Sequence, residues 1–470
     1  MKKVVKDPTR KAMTIVASLA ADSSFVGRVI TSNYEALKNE YPEARPEEIL
    51  SATIPVDNLA KSGEEWKRAL AGLIYANIAL GAMQLFRREL RDEDSYFLAS
   101  IYSWVKSAEI LASTNSKALF MIPRLLIDIN ETYAGREATV TSFIIGVLQK
   151  IWRQDNRKAI RFAVSIVIEY SKRKTLISEA LEVLSWAQRR VREYMADSEL
   201  LGTLLRIEKE ILNASGRWGE AASTADRLSK IERDSMQKLI FLLDKSEYLY
   251  LQKMFDESVK IIDEIQSNTL YSKLPEGERI RALLIKANSL FSLKRYEDAL
   301  QCLNEAEKIA DTLGLTRIKI DILTNKGSLL VEVEKYTEAI EVLEKALHGL
   351  REQKEEDSHM MRLKARIMYG LGLSYASLGY LWRGLTFLEK AYDLLFDLAD
   401  DDRSYVEMVV LLARIIAINI NLRRWDRVRE LIEESRRLVD KIYDSEERGE
   451  LTTLIEYLNR IYLGASKNEW

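Results

Sequence analysis

Six times along the chain a large side chain is followed three residues later by a small or compact one, at the head of a segment with helical period. The pairs are Trp218 with Ala221, Phe255 with Ser258, Tyr296 with Ala299, Tyr336 with Ala339, Leu381 with Gly384 and Trp425 with Val428. Successive large residues stand 37, 41, 40, 45 and 44 positions apart. Ala306, Ala346 and Ala391 keep a fixed distance downstream, and Ala287, Gly327 and Gly372 keep one upstream. Helices pack closer where the residues between them are small. The pattern therefore predicts helical hairpins in which the large residue fills the wedge and the small ones let the backbones approach. One apolar face of each hairpin is left for the next hairpin to cover, so the units stack in one dimension. The expected fold is all-α, an α-solenoid of antiparallel helical hairpins with a less regular helical N-terminal region.

Composition agrees. A chain of 470 residues exceeds what one core usually supports, and 19 Gly with 6 Pro are too few for many turns between short strands. Four of the prolines precede residue 60, so the layout is least regular there. The expected organisation is an irregular helical domain or degenerate repeats over 1–135, degenerate hairpins over 136–196, a repeat array over 197–443 and a capping helix over 444–470. In the first part, Asp22 should cap a helix reaching about Asn39. Long helices should run over about 63–89, 94–113 and 116–133, the last kinked at Pro123. The apolar run from Ala69 to Phe86 is about long enough to span a bilayer. It also carries Asn77 and Gln84 and is rich in Ala and Gly, so it reads as a helix buried in protein, with no membrane role. The N-terminal residues show no pattern of a cleaved signal.

The hairpin signature resembles the tetratricopeptide repeat. Gly372-Leu-Ser-Tyr375 with Gly379, and the Tyr-x-x-Ala…Ala elements at 296–306 and 336–346, carry the resemblance. It is good over about 277–395, fair over 197–276 and 402–443, and absent before about 175. The units, at about 40 residues, exceed the family's ~34 and lack its closing proline, as in long-helix variants of the family. The resemblance implies a concave groove lined by the first helix of each hairpin and a peptide or protein partner in it. Its groove-facing positions would be Arg281, Leu284, Asn288 and Phe291, then Asp321, Thr324, Asn325 and Ser328. Arg366, Tyr369 and Leu373 follow, then Arg414 and Ala417. Members that grip a C-terminal carboxylate use two Asn and basic residues from consecutive repeats, and Asn288, Asn325 and Arg366 fall on matching positions. Leu284 and Gly370 stand where further polar or basic groups would be.

No constellation for chemistry is present. The chain has no phosphate-binding loop, dinucleotide fingerprint, nucleophile elbow or zinc-helix motif. A single cysteine, Cys302, excludes a disulfide framework. His348 and His359 read as solvated surface, and Asp401-Asp402 and Glu355-Glu356 as helix caps. The expectation is a non-enzyme without cofactor or metal, in a reducing cytoplasmic setting. The abundance of Ile, Lys, Arg and Glu resembles a thermophile's composition.

With a net charge of -2 the molecule is no polycation. Between Lys150 and Glu193, however, eleven Lys or Arg face five acids. Lys150, Arg153, Arg157, Lys158, Arg161, Arg189 and Arg190 form the candidate nucleic-acid surface. Arg153, Arg157 and Arg161 share one helix face if no break intervenes at Asp155, with Trp152, Tyr170 and Trp186 interleaved. The competing reading makes the tryptophans core wedges and pairs the arginines with acids on adjacent helices. The functional expectation is an interaction scaffold or adaptor holding a peptide or protein in the groove. Nucleic-acid or ribonucleoprotein binding through 150–193 is the second reading. Ligand sensing or homo-oligomerisation through the N-terminal third is the third.

Overall fold

The structure is a computed structural model that describes residues 8–45, 47, 49, 55–90, 92–353, 357–398, 402–443 and 445–467. Among these residues there is no strand. The chain divides into two compact units, residues 1–233 and 234–470. The array expected from residue 197 thus has its first hairpin in the first unit.

In the first unit, α1 (Pro8–Ala21) and α2 (Ser23–Glu40) are separated by Asp22, whose carboxylate accepts from the Phe25 N–H. After α3 (Val56–Ala60) come α4 (Glu65–Glu89) and α5 (Glu93–Ala112), packed as a hairpin. This is the long apolar helix read from the sequence. Length and composition would let it cross a membrane, as they would Ser404–Asn421, but Leu70, Ile74, Ile78 and Ala82 are fully buried in protein. Gly72 lies against Leu111, where a Cβ would come within 2.6 Å of its side chain, so α4 and α5 approach too closely for a larger residue.

The third expected helix is different. A 3-10 turn over Lys117–Phe120 precedes α6 (Pro123–Thr132). Pro123 is the first helical residue, so it starts a helix and kinks none: a missing N–H costs nothing where none would be bonded. The unit continues with α7 (Glu137–Gln154), α8 (Asn156–Ser171) and α9 (Ile177–Arg190). A π-helical turn over Val191–Met195 follows, then α10 (Ser198–Ala214) and α11 (Trp218–Ile231). Trp104, Phe97, Tyr133, Phe162 and Tyr170 are the large side chains of its core.

The second unit is a stack of hairpins. Its helices are α12 (Ser235–Leu251), α13 (Phe255–Ser267), α14 (Glu276–Ser292), α15 (Tyr296–Thr312), α16 (Thr316–Glu332) and α17 (Tyr336–Arg351). After them come α18 (Ser358–Ser377), α19 (Leu381–Leu398), α20 (Asp402–Asn421), α21 (Trp425–Val439) and α22 (Ser445–Lys467). Each first helix packs on its own second helix, and each second helix on the next first helix. The expected caps at Glu355-Glu356 and Asp401 lie outside the described residues.

One corner recurs. In all six hairpins the second helix begins at the large residue singled out above, after a three-residue turn. The middle residue of that turn is left-handed in Gly216, Lys253, Lys294, Glu334, Gly379 and Arg423, with φ between 56° and 89°. The next N–H reaches back five residues, as Arg295 to the Leu290 carbonyl at 2.8 Å and Lys335 to that of Leu330 at 2.9 Å. The left-handed residue's own N–H reaches back three, as Lys294 to Phe291. Together these two bonds satisfy carbonyls that a helix end would otherwise leave bare.

Behind the corner, Phe291 meets Tyr296 and Tyr250 meets Phe255 at ring distances of 5.7 and 5.8 Å. Ala299, Ala306, Ala339, Ala346 and Ala391 are fully buried where helices cross. Ser258 holds the small position with a bonded variant of the same idea. Its hydroxyl lies 3.0 Å from that of Ser246 and 3.2 Å from that of Ser289, tying α12, α13 and α14 together.

Candidate partner-binding groove and basic surface

In the second unit the first helices bring Asn288, Phe291, Asn325, Arg366 and Tyr369 to one cavity of about 590 Å³. Asn288 and Phe291 stand one turn apart on α14, Asn325 on α16, and Arg366 and Tyr369 on α18. The Arg366 guanidinium donates to Asn325 Oδ1 at 2.8 Å, which sets the amide's direction. The Asn288 amide has no intramolecular partner among the described residues. A smaller cavity of about 70 Å³ touches Asn288, Phe291, Asn325 and Arg366 as well. Val406, Glu407 and Val410 on α20 and Tyr250 on α12 complete the larger wall.

Two of the seven expected groove residues lie elsewhere. Arg281 is half-buried among Asp244 (2.7 Å), Glu247 and Glu278 (3.2 Å). Burial opposes its charge, but Glu247 and Asp244 more than offset this and hold its pKa above the ordinary value. It is an internal ion-pair hub. Arg414 is exposed and outside the cavity wall. Thr324, also expected in the groove, is fully buried and donates to the Ile320 carbonyl, because its neighbour Asn325 takes the outward position on α16. Tyr250 was legible in principle, since it precedes Phe255 by five as Phe291 precedes Tyr296. Glu407 and Val410 had no such signal.

The basic surface, in the first unit, splits. Asp155 is extended and its carboxylate caps α8 by accepting from the Lys158 N–H, so Arg153 ends one helix while Arg157 and Arg161 begin the next. The proposed single face does not exist. The aromatics turn inward: Tyr170 is fully buried and accepts from Asn130, and Trp186 is buried. Lys150 pairs with Glu109 at 2.6 Å, and the Lys158 ammonium donates to the carbonyls of Ala112 and Thr114 at the end of α5. Arg190 lies over three rings, those of Trp152, Trp186 and Tyr194, at 5.9, 5.9 and 5.2 Å. Arg153, Arg157, Arg161 and Arg189 are exposed.

Both histidines are at the surface, His348 near Glu352 at 3.6 Å and His359 near Asp321 at 3.2 Å. Cys302 is buried, and burial pushes its thiol pKa up.

Comparison with known proteins locates the resemblance. The tetratricopeptide repeat model matches residues 280–312 and 320–347. No curated protein matches the chain in sequence. Among solved structures, the apo form of RapI aligns with a TM-score of 0.47 at 14% identity, over 65% of this chain and 85% of that one. A Signal Transduction ATPase with Numerous Domains protein with a tetratricopeptide repeat sensor, from Pyrococcus horikoshii, gives 0.43 at 13%, over 94% and 74%. A Rap protein complexed with competence and sporulation factor gives 0.43 at 13%, over 66% and 89%. The two matched segments coincide with hairpins α14–α15 and α16–α17, which are tetratricopeptide-like repeats, and the other four hairpins repeat their corner in an all-α helical-repeat chain.

Proposed function

We propose that the chain is a non-catalytic cytoplasmic scaffold or adaptor that holds an extended partner segment in the groove of the second unit. The observation that carries this reading is the convergence of Asn288, Asn325 and Arg366, from three successive first helices, on one cavity with an apolar wall. Carboxamides bond a peptide backbone through both donor and acceptor, which suits an extended chain that offers both. Arg366 adds a fixed, always-charged fork for an acidic group, and Phe291, Tyr369 and Val410 take an apolar side chain. These side chains stand on helices held by their neighbours, so little ordering is needed on binding.

The test is affinity purification from the native cell with the wild type and an N288A/N325A/R366A variant. Circular dichroism establishes that the variant keeps its helices. Loss of a specific protein partner from the variant is the expected result. Retention of every partner by the folded variant would sink the groove reading.

A further inference from the structure

The arginines around the turn at Asp155 do not share in the groove and call for a separate account. Of the eleven Lys and Arg between 150 and 193, five are engaged within the protein. They are Lys150, Lys158 and Arg190, already described, Lys172 with Glu169 at 2.5 Å, and Arg173 with Glu131 at 3.0 Å. Arg153, Arg157, Arg161, Arg189 and Arg192 are exposed and have no carboxylate partner among the described residues. Two of the five nearby acids are spoken for. Asp155 caps α8 and Glu169 holds Lys172. Glu179, Glu182 and Glu193 remain against these five guanidinium groups and the exposed Lys174 ammonium. Such an excess of one sign is costly to keep together unless something of the other sign visits it.

The fold gathers these groups. Trp152, at the end of α7, meets Trp186 and Tyr194 edge-on at 6.1 Å each, so the ends of α7 and α9 lie together. Arg153 follows Trp152 directly, and Arg157 sits just across the turn with Arg161 one helical turn beyond it. Arg189 and Arg192 flank Arg190, whose guanidinium is held by the three rings. Tyr194 lies in the π-helical turn, a deviation that recurs at functional sites. It is 63% exposed, with Trp152 against it edge-on and the Arg190 guanidinium over its ring.

We propose that this end of the first unit docks the phosphodiester backbone of a single-stranded nucleic acid, with Tyr194 as the platform for a base. Exposed arginines neutralise phosphates and pair with them through a rigid fork. An aromatic face beside them takes any base. A bilayer surface would call for aliphatic wedges among the cations. Here the exposed ring is Tyr194, and the exposed Ile168 stands two turns beyond Arg161.

The probe is a fluorescein-labelled oligouridine strand titrated with the full chain and read by fluorescence anisotropy. Five arginines on a single strand predict an affinity loss on the order of 100-fold between about 50 and about 200 mM salt. The R153E/R157E/R161E and R189E/R192E variants should each bind at least about 10-fold more weakly at low salt. Tyr194→Ala should weaken binding and leave the salt slope unchanged. All the substituted side chains are exposed, and circular dichroism checks that each variant is folded. Affinity indifferent to salt, or unchanged in both charge-reversal variants, overturns the proposal. So does tighter binding of polyglutamate or of phosphatidylserine vesicles by the same arginines. A lost groove partner leaves these results untouched, because the two sites share no residue.

Discussion

A Cβ built on Gly384 would stand 2.7 Å from the carbonyl oxygen of Gly372, and one on Gly372 would stand 3.0 Å from that of Gly384. Here α18 and α19 cross backbone on backbone, and no rotamer can relieve the clash. Gly384→Ala should therefore destabilise the protein by about 2–3 kcal/mol, at the upper end for overpacked sites. Gly146 on α7 faces open space, and Gly146→Ala should instead stabilise by up to about 1 kcal/mol. Urea midpoints of the two variants decide the matter, and equal midpoints would refute the close crossing.

The recurring corner makes the opposite kind of prediction. Lys294 and Glu334 occupy left-handed positions at φ 61° that glycine takes without strain. Lys294→Gly and Glu334→Gly should each raise stability by about 0.5–1 kcal/mol, since the strain relieved exceeds the added chain entropy. Thermal or chemical denaturation measures this. A loss of stability in both would mean that the side chains matter more than the turn.

Arg281 should behave as a structural residue. Arg281→Met removes the cation shared by Asp244, Glu247 and Glu278, and Asp244 is only 6% exposed. Taking one partner from such a buried cluster costs roughly 3 kcal/mol or more. Arg281→Lys should recover only part of this, because an ammonium cannot reproduce the fork. A neutral Arg281→Met in denaturant titration would overturn the structural role of Arg281.

Alkaline pH should unfold the first unit. Burial pushes the phenols of Tyr41, Tyr96 and Tyr133 from 10.0 up to about 12. A phenol whose folded pKa is raised contributes stability that is fully present below pH 10 and is lost as pH rises toward 12. Tyrosinate absorbance should show these three groups ionising together with unfolding. Tyr133→Phe should flatten the fall in stability over that window. An unchanged slope would mean that Tyr133 titrates freely in the folded protein.

The hairpins were legible because their signals are local. A large residue at the first helical position and a small one three places on each act on the adjacent helix, and every second helix of the six hairpins begins where that pair stands. Pro123 misled because the same residue either breaks a helix or begins one, and nothing in its neighbours separates the two. The basic stripe failed on one residue, Asp155, whose role as a cap outweighs the continuity suggested by Arg153, Arg157 and Arg161. Asn288, Asn325 and Arg366 reached one cavity as the register implied. Arg281 did not, because the acids on α12 that close around it lie outside its own repeat, and Arg414, though exposed, stands outside the cavity wall.

Every hairpin in the array turns its corner in three residues, whereas the links from one hairpin to the next in the second unit range from three residues, as at 313–315, to eight, at 268–275. The corner is held by main-chain bonds that fix its length. The link at 313–315 is closed by the same pair of bonds, Leu315 N–H to the Ala310 carbonyl at 3.0 Å and Gly314 N–H to that of Asp311 at 3.2 Å, with Gly314 left-handed, whereas the longer link at 268–275 winds through a 3-10 turn. Changes of length should therefore be borne most easily by the long link: an inserted residue at 268–275 alters the spacing between neighbouring hairpins, while one at 293–295 breaks the bonds that close a hairpin. The same asymmetry tells an engineer where to splice a reporter or a new module into the chain.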